Sequence, residues 1–468
     1  MSEQATSAPA QSLKKGSLNL VELTGLSLAN MAPAYSAFTT IGLIVATVGL
    51  GAPLLFVIAG VATIFHVNST AEYSRKCPSA GSYTCFVSRT FGDYVGASIG
   101  VFFAFSWIVS LASVYVVIGN WTMIMLDKFM GIKVNFVVLT LIFAALTILF
   151  CIRGVVISSK MAISLFIFEL VILFGSGAAL VILNPHFVNF RPFSFSSFSS
   201  GLKGIGLAFP LAVYPFIGAS NAAAMAEEAQ RPHATIRKAV FAAAIFATFA
   251  YVFCAWSTVV GFRFDTKALA HTDFPMISAV GLNFGGFVFV MYLAGLTSTL
   301  ALLLASTNAG ARIFFNLGRE GLFPDWMARI HPRHRTPSAA ILFVGIGCTI
   351  VAVVLGGVYG PINAFNWLGT IGTIPLILVY ILVNIGLPIY FKREYPAEFS
   401  VFTHVVLPVL GILAYIIPLW SIVEPGQPAP YNSFGWLTLL GLILAIFYGI
   451  YVNKTQSHRL NLGIYVKE

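Results

Sequence analysis

The stretch that decides the fold runs from Gly204 to Pro232 and reads GIGLAFPLAVYPFIGASNAAAMAEEAQRP. Its first half is apolar enough to lie in a membrane, but the run Tyr214–Gly218 (YPFIG) interrupts it partway through. Proline removes a backbone donor and glycine loosens a helix, so we expect this segment to break in mid-bilayer. Backbone that is exposed at that depth is tolerated only where it lines a cavity or is buried in protein. The break therefore predicts a binding site.

The composition places most of the chain in lipid. Of its 468 residues, 58% are hydrophobic and 9% are charged, whereas a soluble protein carries roughly 25% charged residues. The net charge of +10 would suit nucleic acid, but basic residues collect on the cytoplasmic side of membrane proteins. We therefore expect a lipid bilayer and no nucleic acid as partner. The five cysteines are scattered without metal-type spacing, so neither a metal site nor a disulfide is predicted.

Apolar runs of roughly 20 residues, the length that crosses a hydrocarbon core of about 30 Å, recur twelve times. Numbered in chain order, the predicted crossings lie near 18–46, 52–72, 94–126, 134–152, 158–183, 204–228, 234–261, 276–318, 337–357, 361–391, 402–424 and 434–453. An even number of crossings puts both termini on one side. That side holds 20 of the 26 lysines and arginines, so the positive-inside rule predicts that both termini are cytoplasmic.

The first crossing carries a feature like that of the sixth. Its run Asn30–Ser36 (NMAPAYS) puts a proline and polar groups about twelve residues in, near the middle of the membrane. The two interrupted crossings open two five-helix blocks, 18–183 and 204–391, which enter the membrane from opposite sides. From this position and spacing we infer two repeats of inverted topology, as in many secondary transporters. Residues 1–17 and 454–468 are then cytoplasmic tails, and 392–453 hold the last two crossings.

Three stretches of characteristic sequence occur in order along the chain. Residues 78–83 read PSAGSY, and FG follows at 91–92. The sixth crossing has FIG at 216–218 and AEEAQRP at 226–232. The end of the eighth crossing has NAGAR at 308–312, which is followed by GREGLFP at 318–324, HP at 331–332 and TP at 336–337. Together with the small-residue break in the first crossing, they resemble the motifs of the amino acid–polyamine–organocation (APC) superfamily of permeases. The resemblance covers roughly residues 18–391.

The resemblance implies an all-α integral membrane protein of twelve transmembrane helices. Its core would be a 5+5 inverted repeat of the leucine-transporter-like kind, with discontinuous helices 1 and 6 and two extra helices at the C-terminus. It implies a permease that needs no cofactor, rather than an enzyme. No catalytic or Walker motif is present, so uphill transport would have to draw on an ion gradient.

The resemblance also implies that a small-molecule substrate lies between the two breaks. Tyr214 has the place of an aromatic gate over the substrate. Where the best-known amino acid permeases have G-S-G, this chain has Ala32-Pro33-Ala34, and Pro33 offers no N–H to a carboxylate. An amine that lacks a carboxylate is therefore an alternative to an amino acid. The predicted substrate-binding residues are Asn30, Met31, Ala32, Ala34, Tyr35, Ser36, Tyr214, Phe216, Ile217, Gly218, Ser220 and Asn221.

An acidic residue stands on the fifth crossing where many relatives carry a lysine. Glu169 lies nine residues after Lys160 and eleven beyond Ser158, which places it about 16 Å into the membrane at 1.5 Å per residue. A buried carboxylate must be protonated or paired, because an isolated charge is costly there. We expect Glu169 to carry a coupling proton or to pair with a cationic group. The alternative is a protonated side chain bonded to a neighbouring helix.

Two further groups have roles by resemblance. In sodium-coupled transporters of this fold, a Ser/Thr pair on helix 8 binds Na⁺ beside the first break, and Ser306 and Thr307 match it here, although hydroxyl residues also serve packing. Trp107 and Tyr115 are expected to pack against neighbouring helices rather than to contact a ligand.

We hypothesise that acidic and basic residues at the cytoplasmic helix ends form ion pairs that close an inner gate, with a solvated helix end as the alternative. These gating residues are Glu227, Glu228, Arg312 and Arg319.

The function predicted from these residues is secondary active transport of an amino acid or related amine across the cell membrane by alternating access, coupled to H⁺. A sodium-coupled symporter or an exchanger of the same fold is the alternative. A non-transporting membrane sensor or scaffold is the alternative from a different class.

Overall fold

The computed structural model describes residues 13–199 and 201–467, and its regular structure is helical. Among these residues no β-strand occurs beyond one isolated bridge between Leu18 and Ala229. Residues 1–12 of the predicted N-terminal tail lie outside the described residues. The α-helices are α1 (Leu20–Ala29), α2 (Pro33–Val48), α3 (Ala52–Lys76), α4 (Tyr83–Phe91), α5 (Asp93–Met130), α6 (Phe136–Arg153), α7 (Val155–Leu183), α8 (Gly201–Val213), α9 (Pro232–Gly261), α10 (Thr266–Ala270), α11 (Pro275–Phe284), α12 (Val288–Arg319), α13 (Ser338–Tyr359), α14 (Pro361–Glu394), α15 (Leu407–Val423) and α16 (Tyr431–Thr455).

In the described part of the chain, eleven helical segments are long and apolar enough to cross a bilayer. The first of them, Leu20–Lys76, has 57 residues and contains α1, α2 and α3. The other ten correspond one by one to the predicted crossings three to twelve. The chain is therefore a multi-pass, all-helical membrane protein.

The outer helices show why lipid must surround the molecule. On α13, large apolar side chains at successive turns are exposed, namely Leu342, Ile346, Ile350 and Val354. A soluble protein rarely exposes a continuous apolar patch of this kind to water. The opposite face of α13 packs inward through small and apolar side chains. A helix that is apolar all round, with one face buried in protein and one face bare, is typical of a membrane span.

Small residues bring the inner helices together. A side chain at Gly60 of α3 would overlap Thr248 of α9, and one at Gly372 of α14 would overlap Ser110 of α5. Such contacts let the helix backbones approach closely. In a membrane the hydrophobic effect does not drive helices together, so close packing of this kind stabilises their association. They place α5 and α14 next to each other, and α3 next to α9, around the two interrupted crossings.

The last described residues fold back onto one end of the helix bundle. The Asn461 N–H donates to the Glu320 carbonyl at 3.1 Å, and the Val466 N–H donates to the Pro78 carbonyl at 2.8 Å. The Ile464 N–H donates to the Glu320 side chain at 2.9 Å. The segment after α16 thus ties together the loops that follow α3 and α12.

Candidate functional site

The first predicted crossing is interrupted at the predicted place. Helix α1 ends at Ala29 and α2 begins at Pro33. Between them Ala32 has φ 44°, in the left-handed region that L-residues rarely adopt. Pro33 then occupies the first position of α2, where its missing N–H costs nothing and its fixed φ favours helix. The prediction of a break within Asn30–Ser36 is confirmed.

The sixth predicted crossing breaks at Tyr214–Gly218, again as predicted. Helix α8 ends at Val213, and a 3₁₀ turn follows over Tyr214–Phe216. Gly218 has φ +109°, a conformation that only glycine adopts without strain. The chain then continues as a 3₁₀ helix over Asn221–Glu228. The acidic residues Glu227 and Glu228 lie at the end of this inner segment.

The two breaks touch each other. A side chain at Gly218 would overlap the side chain of Asn30, so the second break needs glycine for its close approach to the first. Tyr251 of α9 joins them from behind, because its hydroxyl donates to the Met31 carbonyl at 3.1 Å and to the Pro215 carbonyl at 2.9 Å. The Tyr251 hydroxyl thus forms hydrogen bonds to carbonyl groups that the interruption of both crossings leaves outside the helices.

A cavity of about 1260 Å³ lies at the junction of the breaks. Its wall is rich in aromatic side chains, namely Tyr35, Tyr83, Phe103, Trp107, Trp121, Tyr214, Phe274, Tyr292, Phe365 and Tyr380. The charged side chains in the wall are Lys128 and Asp273, both of them exposed, with His271 beside them. The cavity therefore reaches solvent at the end of the molecule where the α9–α11 connection lies. That end is the one the charge distribution predicts to be extracellular.

Most of the predicted binding residues border this cavity. Those in its wall are Asn30, Met31, Tyr35, Ser36, Tyr214, Ile217, Gly218, Ser220 and Asn221. Ala32, Ala34 and Phe216 are absent from the wall, and Phe216 instead packs edge-on against Tyr251 with ring centroids 5.1 Å apart. Trp107, which was expected only to pack, also borders the cavity and donates from Nε1 to the Ser306 carbonyl at 3.1 Å.

Ser306 and Thr307 point in different directions. The Ser306 hydroxyl donates to the side-chain oxygen of Asn30. The Thr307 hydroxyl instead lies 3.3 Å from the Tyr115 hydroxyl, on the side of α5. Successive residues of a helix are turned by about 100°, which lets the two hydroxyl groups bond to different neighbours. In this structure each hydroxyl thus has its own protein partner, and the sodium site stays a prediction.

Glu169 lies behind the first break rather than in the cavity wall. It is fully buried, and it faces the Ala34 amide and the Ser298 hydroxyl. Neither carboxyl oxygen forms a hydrogen bond of normal geometry. The Ser298 oxygen in turn accepts from the Tyr35 N–H at 3.2 Å. A buried carboxyl group thus stands at the N-terminus of α2, where the helix dipole favours negative charge.

Two ion pairs join α12 to the segment Asn221–Glu228. Arg312 of α12 holds Glu228 through two nitrogens, with Nη2 2.9 Å from Oε1, and neither side chain is reached by solvent. Arg319 donates to Glu227 at 3.0 Å in a less buried place. The Arg312 guanidinium also donates to the Asn308 carbonyl at 2.7 Å. The four residues do form pairs, as hypothesised.

Reasoning from the sequence missed most of the aromatic side chains in the cavity wall and two hydroxyl groups that bond to the backbone of the breaks. Tyr251 was not singled out, although a tyrosine in an apolar crossing indicates a hydroxyl that needs a partner. Ser298 was not singled out either, because hydroxyl residues are common throughout α12. Both act on the backbone of the breaks, and only the relative rotation of α9 and α12 shows it.

Comparison with known proteins places the chain in a family. Residues 18–448 match the family model described as amino acid permease. The chain is 25% identical over 426 residues to a branched-chain amino acid permease of Bacillus subtilis, with 86% of each chain covered. It is 24% identical over 448 residues to a methylthioribose transporter of Bacillus subtilis, covering 89% of this chain and 88% of the relative. It is 23% identical over 442 residues to a chloroplastic cationic amino acid transporter of Arabidopsis thaliana, covering 88% and 72%.

The family match spans nearly the whole chain and agrees with the helical membrane architecture. The protein is a permease and not an enzyme. The chain belongs to the amino acid permease family of the APC superfamily.

Proposed function

We propose that this protein is a secondary active transporter that moves an amino acid or a related amine across the cell membrane by alternating access. The observation that carries the proposal is the cavity between the two breaks, which reaches solvent at one end, while outside its wall the buried pair of Glu228 and Arg312 joins the inner segment of the second break to α12. A site with this asymmetry suits a protein that exposes its substrate to one side at a time. The names of the relatives, a branched-chain amino acid permease among them, support the substrate class.

The proposal includes the layout read from the sequence. Twelve crossings would form two inverted repeats, 18–183 and 204–391, with 392–453 as two added helices and both termini in the cytoplasm. The segment Leu20–Lys76, with 57 residues, is long enough for two crossings at about 1.5 Å per residue. Counted so, the eleven segments supply twelve passages. The plasma membrane is the proposed location.

Proton coupling through Glu169 is part of the proposal. Its carboxyl group is fully buried without a hydrogen bond of normal geometry, in a place where a charge without a partner would be costly. Binding and release of a proton there would change the charge at the N-terminus of α2, next to Tyr35 in the cavity wall. Through this contact, the protonation state of Glu169 would influence the conformation of the first break.

Closure over the substrate is assigned to Tyr214 at the outer side and to the two ion pairs at the inner side. Tyr214 belongs to the 3₁₀ turn of the second break and its ring borders the cavity. A rotation of that turn would move the ring without disturbing the long helices. The inner pairs join Asn221–Glu228 to α12, so opening on that side would separate these two elements.

Uptake into proteoliposomes tests the proposal. Purified protein is reconstituted and offered a panel of amino acids and amines under a proton gradient, under a sodium gradient and under neither. We expect accumulation of at least one solute with the proton gradient. Accumulation of no solute under any gradient would contradict active transport and would favour a sensor or scaffold. A sodium requirement without response to pH would favour the symporter alternative.

Glu169→Gln tests the coupling residue. We expect it to abolish uptake driven by the proton gradient while solute still binds, because the amide keeps the shape but cannot exchange a proton. Glu394→Gln serves as the matched control, since Glu394 is a surface residue paired only with its neighbour Arg393. Unchanged uptake by the Glu169 variant would remove this residue from the mechanism.

A further inference from the structure

The backbone donors at the start of α2 are engaged by the protein itself. The Tyr35 N–H donates to the Ser298 hydroxyl oxygen at 3.2 Å. The Ser36 N–H donates to the Ala32 carbonyl at 2.9 Å. Pro33 has no N–H. Since a helix N-terminus receives an anion through its free N–H groups, these positions offer nothing to a substrate carboxylate.

The remaining amide of that turn, Ala34, faces the carboxyl group of Glu169. Glu169 is fully buried and reaches this point from α7, behind the cavity wall. A carboxyl group of the protein therefore stands where the helix would otherwise receive one from the substrate.

The carbonyl groups of the breaks are also engaged. The Met31 carbonyl accepts from the Ser36 hydroxyl at 2.9 Å and from the Tyr251 hydroxyl at 3.1 Å. The Pro215 carbonyl accepts from the same Tyr251 hydroxyl at 2.9 Å. The backbone of both breaks is thus largely satisfied without a ligand. Recognition of a substrate must rest mainly on side chains.

One side chain in the cavity wall is left without partners. Asn221 is 4% exposed, it borders the cavity, and neither its amide nitrogen nor its amide oxygen has a hydrogen bond. The Ser110 hydroxyl in the same wall is unpartnered as well. A buried amide without partners is destabilising and rare, so its presence in a cavity wall points to a ligand that supplies them.

The charges of the wall favour a cation over an anion. Lys128 and Asp273 lie at the exposed mouth, and the cavity wall has no other acidic residue, lysine or arginine among the described residues. A carboxylate deeper inside would have no cationic partner, which makes its burial costly. An ammonium group, in contrast, is attracted to aromatic faces such as those of Tyr35 and Tyr214.

We propose that the site selects an organic amine without a carboxylate, held by the amide oxygen of Asn221 and the aromatic wall. This inference rests on the proposed transport function and narrows its substrate class. The N–H groups of Tyr35 and Ser36 are engaged and that of Ala34 faces the Glu169 carboxyl group, which disfavours a substrate carboxylate, and the unpartnered Asn221 receives the ammonium group. An α-amino acid then binds more weakly than the amine obtained by removing its carboxylate.

Matched pairs of compounds test the inference on the purified full-length protein. Leucine is compared with 3-methylbutylamine, phenylalanine with 2-phenylethylamine, and lysine with 1,5-diaminopentane, by the shift in melting temperature over a concentration series. A bound ligand raises the melting temperature according to its affinity. We expect the amine of at least one pair to reach half of its maximal shift at a concentration at least tenfold lower than the amino acid. Equal or tighter binding of the amino acid in every pair overturns the inference.

Two variants connect the result to the proposed contact. Asn221→Ala is expected to weaken the amine at least tenfold. Asn363→Ala is the matched control, because Asn363 is exposed on α14, outside the cavity wall, and bonds only to the Tyr359 carbonyl. An N-acetylated form of the amine, which has no charge, is expected not to bind. Binding of that form with the affinity of the amine overturns the role of the ammonium group.

The outcome is separable from that of the transport proposal. If amines bind but no solute is moved into proteoliposomes, the transport function fails and the selectivity stands. If amino acids are accumulated and bind more tightly than their amines, the selectivity fails and the transport function stands.

Discussion

Arg312 and Glu228 form an ion pair that solvent does not reach, with Nη2 2.9 Å from Oε1. The pair connects α12 to the inner segment of the interrupted sixth crossing. A buried pair adds little stability when it replaces apolar packing, but removal of one partner leaves the other charge buried and alone. The connection between α12 and the segment Asn221–Glu228 therefore depends on both residues being present.

The variant Glu228→Gln should be strongly destabilised for this reason. We expect a loss of about 3 kcal/mol or more in the free energy of unfolding, because the Arg312 charge stays buried without a counterion. Glu227→Gln is the matched control, since its partner Arg319 is 29% exposed and an exposed pair contributes about 1 kcal/mol or less. Thermal unfolding of both variants in detergent measures the difference. Equal losses would show that burial of the pair is unimportant.

Gly218→Ala should block the site. The new methyl group would overlap the Asn30 side chain, and the φ of +109° is strained for any residue with a Cβ. We expect the two breaks to move apart and uptake to fall at least tenfold. Gly175→Ala on α7 is the control, because nothing lies within 4 Å of the added atom there. Normal uptake by Gly218→Ala would mean that the contact between the breaks is dispensable.

Tyr251→Phe isolates the hydroxyl that bridges the breaks. The carbonyl groups of Met31 and Pro215 lose a donor, and we expect about 1–3 kcal/mol of destabilisation from these buried acceptors. Tyr359→Phe, whose side chain is half exposed, should leave the melting temperature unchanged. Hydrogen exchange of residues 29–36 should rise in the first variant alone. A protein as stable as the parent would show that water replaces the bridge.

Docking of the C-terminal segment should depend on pH through Glu320, which lies just past the end of α12. Burial raises the pKa of this carboxyl from 4.5 to about 7, although the Ile464 N–H that donates to it acts in the opposite direction. The docked form holds the proton more tightly than the released form. Docking is therefore expected to be strongest at low pH and to weaken as the pH rises through 7.

Hydrogen exchange over residues 459–467 measures this dependence, once the rates are corrected for intrinsic chemical exchange. Protection should be higher at pH 5 than at pH 8 in the parent protein. Glu320→Gln, which cannot titrate, should be equally protected at both values. The same pH dependence in that variant would assign the effect to another group.

The crossings and the positions of the two breaks were predictable because they follow from local properties. A run of apolar residues long enough for a bilayer needs no tertiary information, and neither does Pro33 at a helix start or Gly218 at a positive φ. The pairing of Glu227 and Glu228 with Arg312 and Arg319 was also predictable, because few other charged residues lie near these helix ends. The sequence by itself thus determined the class of the protein, the two breaks and the part of the cavity wall that the breaks contribute.

The tertiary structure alone decided what satisfies those breaks. Glu169 was recognised as a buried acid, but its place behind α2 depends on how α7 is rotated against the first crossing. Ser306 and Thr307 are adjacent in sequence, yet they face Asn30 and Tyr115 on different helices. The direction of a side chain around a helix axis is set by packing with neighbours that are distant along the chain. For that reason the donors and acceptors left free for a substrate become visible only once the helices are assembled.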